Sequence, residues 1–102
     1  MRDPVGFELT LLTILLDQPR DAYAVTIMDR VKERTGREPN LGAVYKSLDR
    51  LEAKGFVESW WGEPTQDRGG RRKRYYKITG SGQEVVRRAR ERISPFAAAV
   101  SA

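Results

Sequence analysis

The first third of the chain carries apolar residues at helical spacing. Residues 7–17 are apolar on more than one side, which predicts a helix that is buried against its own domain and also at a subunit interface. A second helix is predicted from the recurrence of Tyr23, Ile27 and Val31, with Asp21 as its N-cap. Gly36 then stands where a helix ends in the left-handed conformation.

A third helix is predicted after the turn at residues 36–40. Asn40 can cap it, because an asparagine side chain accepts hydrogen bonds from the first free amides of a helix. Its predicted apolar face consists of Leu41, Val44, Leu48 and Leu51. The residues expected on its solvent side are Asn40, Ala43, Lys46, Ser47 and Arg50. Small residues allow close approach to a DNA groove, while Asn, Lys and Arg can bind bases or phosphates. The alternative is that they form only the polar side of an amphipathic helix.

The pattern changes after Gly55. Residues 56–61 and 71–79 are rich in β-formers and flank a run of turn residues, which predicts a β-hairpin with a long basic tip. Of its four aromatic residues, Trp60, Trp61, Tyr75 and Tyr76, we expect at least one Trp and one Tyr to lie in the core.

A last helix is predicted to begin at Thr79 or Ser81, since Ser81 and Glu84 have the spacing of a capping box. Pro95 is expected to kink this helix or to begin a new segment. Three helices, two strands and a final helix make an α+β fold, and their order is that of a winged helix-turn-helix followed by a C-terminal helix.

Positive charge is concentrated in the hairpin and the start of the last helix. The net charge of the whole chain is +5, yet residues 68–92 alone contain ten basic and two acidic residues, a net of +8. Such a stripe attracts polyanions, although a charge run can also be merely solvated. Glycine at the hairpin tip lets the backbone approach phosphates, and arginine supplies paired donors. The wing residues predicted to bind DNA are Arg68, Gly70, Arg71, Arg72, Lys73 and Arg74.

The composition excludes most chemistry. The chain has no Cys and no His, so disulfides, thiolate nucleophiles, imidazole bases and nearly all zinc sites are excluded. We expect no enzymatic activity, no cofactor and no metal. No apolar run is long enough for a membrane span, and the N-terminus lacks a signal-peptide pattern, so we expect a cytoplasmic protein without membrane contact. A protein–protein adaptor whose basic wing binds an acidic partner is the alternative to a DNA-binding regulator.

Two segments of the sequence resemble the PadR family of bacterial transcriptional regulators. The first reads LGAVY at 41–45, LDRLE at 48–52 and KGFV at 54–57; the second reads GGRRKRYYKIT at 69–79, followed by Gly82. The resemblance implies a homodimer that binds a palindromic operator in double-stranded DNA, usually as a repressor. It also implies that Tyr45 lies near DNA and that the first and last helices form the dimer interface.

The resemblance is closest to the short subfamily with a single C-terminal helix. The chain departs from the family at Ala24, where glycine is common, and at Pro95 in the last helix. An effector pocket there would have only Phe96 and aliphatic residues, which leaves open whether a small-molecule effector exists.

We therefore predict a DNA-binding winged helix-turn-helix at residues 1–79 and a dimerisation helix at residues 80–102 within one compact domain. Tyr45 joins the DNA-binding residues named above. The predicted dimer interface comprises Phe7, Leu11, Ile14, Val86, Ala89, Ile93, Phe96 and Val100.

Overall fold

The computed structural model describes residues 6–63 and 72–101, with the side chains of the last helix described to residue 92. The elements are α1 (Gly6–Asp17), α2 (Ala24–Thr35), α3 (Leu41–Ala53), β1 (Val57–Trp61), β2 (Arg74–Ile78) and α4 (Gly80–Ser101). This confirms the predicted α+β fold and the order of its elements. None of the helices in these ranges combines the length and the apolar character that a membrane crossing requires.

The turn between α2 and α3 has the predicted ends. Gly36 adopts φ 76° and its N–H donates to the Lys32 carbonyl, which closes α2 in the left-handed conformation that glycine tolerates. Asn40 Oδ1 accepts hydrogen bonds from the amides of Gly42 (2.7 Å) and Ala43 (3.3 Å). Both predictions are confirmed. They could be made from the sequence because each depends only on residues within about one turn.

The predicted cap of α2 is wrong. Asp21 adopts φ 51° and stands before Tyr23, the residue at the N-cap position. Thr26 replaces it, since Thr26 Oγ1 accepts the Tyr23 N–H at 3.1 Å. A side chain three residues inside the helix thus satisfies the amide of the N-cap residue.

α4 begins after Thr79, whose Oγ1 accepts the Gly82 N–H at 3.1 Å. The predicted capping box of Ser81 and Glu84 is wrong, because the Glu84 carboxylate instead pairs with Arg87 and Arg88 on the next turn. The α4 backbone remains helical past Pro95, so no new segment begins there.

The hairpin is held to the helices by its second strand. β1 and β2 are antiparallel, with Trp60 opposite Tyr75. On the other edge of β2 the Tyr76 N–H donates to the Ala22 carbonyl at 2.8 Å, and Tyr23 forms a bridge with Tyr75. The connection between α1 and α2 therefore pairs with the free edge of β2 through an isolated bridge.

One core fills the space between the helices and the hairpin. Its members come from all four helices, both strands and the adjoining turns: Leu11, Leu12, Ile14, Leu15, Ala22, Ile27, Val31, Val44, Leu48, Leu51, Phe56, Val57, Tyr76 and Val86. The predicted burial of Leu41 is wrong, because the Leu41 side chain at the start of α3 is 42% exposed. The prediction of a core tyrosine is confirmed by Tyr76, whereas Trp60 and Trp61 are both exposed. The expected core tryptophan is therefore wrong.

Candidate nucleic-acid interface

Helix α3 carries exposed side chains from its first turn to its last. Ala43, Tyr45, Lys46 and Arg50 are exposed, in agreement with their predicted places on the helix. Ser47 is only 6% exposed, so its predicted position on the solvent side is wrong. The reason is geometric: Ser47 lies three residues after buried Val44 and four before buried Leu51, which places all three on one face.

Asn40 is exposed, but its amide oxygen is engaged in the cap of α3. A paired contact with adenine requires both the oxygen and the nitrogen of the amide. Such a contact would break the cap, so the Asn40 side chain has only its NH₂ group available for DNA.

Glu8 of α1 holds the far end of α3. Glu8 is only 8% exposed. Its carboxylate accepts a hydrogen bond from Lys54 Nζ at 3.0 Å, and Arg50 Nε lies 4.0 Å from the other carboxylate oxygen. Burial of a carboxylate is tolerated only when it is paired. Sequence reasoning missed Glu8, although a single acidic residue inside an apolar helix was the available signal.

Arg74 joins the hairpin to α3. Its Nη2 lies 3.0 Å from Glu52 Oε1, and its Nε donates to Ser59 Oγ at 3.0 Å. The guanidinium also lies over the Trp61 ring, 5.8 Å from the ring centroid. The Nε and Nη2 donors of Arg74 therefore bind Ser59 and Glu52 within the protein, although Arg74 is also one of the residues predicted to bind DNA.

Lys73 is held on the opposite face of the hairpin. Its Nζ lies 4.5 Å from the centroid of the Tyr23 ring, a cation–π geometry. Tyr75 packs edge-on against Tyr23 at 5.6 Å and stacks on Trp60 at 5.9 Å. An aromatic row that sequence reasoning did not anticipate therefore fixes the base of the wing to the start of α2.

Arg72 is exposed at the base of the wing. Three more of the residues predicted to bind DNA, Arg68, Gly70 and Arg71, lie outside the described residues.

Three residues of the predicted dimer interface are buried within the single chain. Leu11 and Ile14 of α1 and Val86 of α4 are at most 1% exposed in the single chain, because all three belong to its hydrophobic core. Phe7 and Ala89 are partly exposed. The side chains of Ile93, Phe96 and Val100 lie outside the described part of α4.

Three helices are followed by a two-stranded hairpin whose second strand is basic, and the start of the third helix is exposed. These features define a winged helix-turn-helix protein of the DNA-binding class. The family model "Transcriptional regulator PadR-like family" matches residues 11–88. The chain belongs to this family, which confirms the resemblance seen in the sequence.

Solved structures of the same fold come from several organisms. A PadR family transcription regulator from Clostridium difficile has a TM-score of 0.73 at 24% identity, covering 94% of this chain and 96% of that chain. A PadR-like transcription factor from Bacteroides fragilis has a TM-score of 0.71 at 28% identity, with coverages of 91% and 86%. A PadR-like transcriptional regulator from Bacillus cereus has a TM-score of 0.72 at 18% identity, with coverages of 92% and 86%. A search of curated proteins found no match.

Proposed function

We propose that the chain is a homodimeric transcriptional repressor that acts in the cytoplasm by binding a palindromic operator. The observation that carries the proposal is the set of hydrogen bonds from Arg74 to Glu52 and Ser59. These bonds join α3, whose exposed side chains can enter a DNA groove, to the most basic part of the chain. A helix and a wing held as one unit can contact a base edge and the neighbouring backbone at the same time.

In this proposal residues 1–79 bind DNA. Ala43, Tyr45 and Lys46 enter the major groove from the first turns of α3, with Arg50 one turn further along. Arg72 contacts the sugar-phosphate backbone, together with Arg68, Gly70 and Arg71 of the wing. These cations supply affinity and its salt dependence, because each phosphate that is neutralised releases counterions.

Residues 80–102 form the dimerisation helix in the same proposal. In the first half of α4, Arg90 Nη2 lies 3.0 Å from Asp17 Oδ1 at the end of α1. Phe7 and Ala89 keep exposed surface on α1 and α4 for a partner. A two-fold axis would then place two α3 helices in successive major grooves, roughly 34–36 Å apart.

Selection of bound sequences from random duplex DNA tests the proposal. We expect two inverted half-sites about one helical turn apart, and binding that survives competition from random duplex. Log affinity should fall linearly with log salt concentration. The same affinity for selected and random duplex would overturn the proposal and favour an adaptor that binds an acidic partner.

A further inference from the structure

Leu41 and Tyr45 form an exposed apolar pair on the first two turns of α3. Each side chain is 42% exposed. Residues four apart lie on the same side of a helix, with their Cβ atoms about 5–6 Å apart. Leu41 is absent from the buried core, and the cap of α3 is made by the Asn40 side chain. Neither the core nor the cap therefore accounts for a leucine at this position.

Some of the polar side chains of the same helix are already engaged within the protein. Asn40 Oδ1 is bonded to two backbone amides, and Ser47 is buried. Arg50 Nε lies beside the Glu8 carboxylate. Lys46 is exposed, but a single ammonium on a flexible stem discriminates less between bases than a paired donor does. The first turns of α3 therefore offer the apolar surface of Leu41 and Tyr45 beside these polar groups.

An apolar side chain distinguishes one base from the others in the major groove, because only thymine presents a methyl group there. Leucine is large enough to cover such a methyl group, and the neighbouring Tyr45 ring extends the apolar surface on the same side of the helix. The charge of Lys46 on the same helix keeps this surface close to a polyanion.

We propose that Leu41 is a specificity-determining residue that contacts the C5 methyl group of a thymine in each half-site, with Tyr45 beside it. The inference rests on the proposed function, since it assumes that α3 enters a major groove. Beyond the proposed function, the inference names thymine as the base that α3 selects and Leu41 as the residue that selects it.

Deoxyuridine provides the direct probe, because it removes the thymine methyl group and keeps every hydrogen-bonding group. Each thymine of the selected half-site is replaced in turn, and the affinity of the purified protein is measured at one salt concentration. Covering a methyl-sized group contributes enough free energy that its removal should weaken binding about fourfold at one position per half-site.

The Leu41→Ala variant tests the residue assignment. Leu41 is exposed, so the variant should fold, which circular dichroism checks. Its affinity for the thymine duplex should fall, and its penalty for deoxyuridine at the sensitive position should disappear. Val25→Ala is the matched control, since Val25 is a 56% exposed apolar residue on α2 and should keep the full penalty.

The outcomes separate this inference from the proposed function. If sequence-specific binding is retained but no thymine is sensitive to loss of its methyl group, the inference fails and the regulator function stands. The inference also fails if Leu41→Ala keeps the deoxyuridine penalty. A protein that binds no duplex in preference to random DNA contradicts the proposed function, and the inference falls with it.

Discussion

Arg74 Nη2 of β2 lies 3.0 Å from Glu52 Oε1 of α3, and this ion pair joins the wing to the third helix. On the other flank of α3, Lys54 Nζ lies 3.0 Å from the Glu8 carboxylate of α1. The C-terminal end of α3 is therefore joined by ion pairs both to the hairpin and to the first helix. The first turns of α3, at the opposite end of the helix, carry exposed side chains, and the proposed DNA contacts lie there.

Arg74 and Arg72 should have opposite roles although both are wing cations. Arg74→Ala should lower the free energy of unfolding by about 1–2 kcal/mol, because Glu52 and Ser59 lose a charged donor. Arg72→Ala should change that free energy by less than about 0.5 kcal/mol but reduce the slope of log affinity against log salt by about one. Urea unfolding at equal protein concentration and DNA titrations at several salt concentrations measure the two effects. A normal salt slope in Arg72→Ala, or full stability in Arg74→Ala, contradicts the assignment.

Glu8 should contribute more to stability than an acidic residue on the surface. Glu8→Gln removes the charged partner of Lys54 within a nearly buried contact and should cost about 1–3 kcal/mol of unfolding free energy. The control is Glu58→Gln, since the ion pair of Glu58 with Lys77 is more than half exposed on both sides. Surface pairs of this kind contribute at most about 1 kcal/mol. Equal losses in the two variants would show that Glu8 acts only as a surface charge.

The sequence was sufficient for features that depend on near neighbours. Gly36 closes α2 and Asn40 caps the start of α3, as predicted. Each could be predicted because its hydrogen-bond partners lie within four residues of it in the sequence. Periodicity also identified every helix and both strands. It did not locate the edges of the buried faces, since Leu41 and Ser47 differ in burial according to which neighbouring element covers them.

Long-range pairings could not be read from the sequence. Glu8 and Lys54 are 46 residues apart, and Glu52 and Arg74 are 22 apart, so only the folded arrangement shows that they meet. The apolar residues of α1 posed a similar ambiguity. They lie on two sides of the helix, and the sequence does not show whether the second side is covered by a partner subunit or by the same chain. Leu11 and Ile14 are buried by their own chain.

Tyr76 should make the protein less stable at alkaline pH. Burial raises the pKa of the Tyr76 hydroxyl above 10.0, an effect that the nearby Arg74 partly opposes. The folded chain therefore keeps the hydroxyl proton to a higher pH than the unfolded chain does. The stability that this retained proton contributes is complete below pH 10 and is lost as the pH rises through the pKa of the folded state.

Tyr76→Phe should abolish this alkaline loss of stability. The Tyr76 hydroxyl is buried without a hydrogen-bond partner among the described residues, so its removal should leave stability at neutral pH unchanged or raise it by about 1 kcal/mol. Urea unfolding of both proteins from about pH 8 to about pH 11 measures the difference. Tyr45→Phe, which removes a hydroxyl from an exposed side chain, should retain the alkaline loss. The assignment fails if Tyr76→Phe retains it as well.

Ala89 should lie in the proposed dimer interface. Ala89→Glu would place an unpaired charge between apolar helices, at a cost of about 3–5 kcal/mol, which weakens association at least about a hundredfold. Gln83→Glu adds the same charge at an exposed position on α4 and should leave association intact. Sedimentation equilibrium measures both, with circular dichroism as the check on folding. A dimeric Ala89→Glu protein would exclude Ala89 from the interface.

Gly82 should be the glycine of α4 that tolerates no side chain. A Cβ atom at position 82 would lie 2.2 Å from the Phe56 carbonyl oxygen and 2.7 Å from Ile78 Cγ1. The Phe56 carbonyl cannot move freely, because it accepts the Thr79 N–H at 3.0 Å just before α4 begins. Gly82→Ala should therefore lower the unfolding free energy by about 2–3 kcal/mol, at the upper end of overpacking effects. Gly80→Ala is the matched control, since a Cβ atom there meets nothing within 4 Å and the substitution should be neutral or stabilising by about 0.5–1 kcal/mol. Urea unfolding of the two variants at equal concentration distinguishes them, and similar stabilities would mean that the start of α4 can shift away from Phe56 without loss.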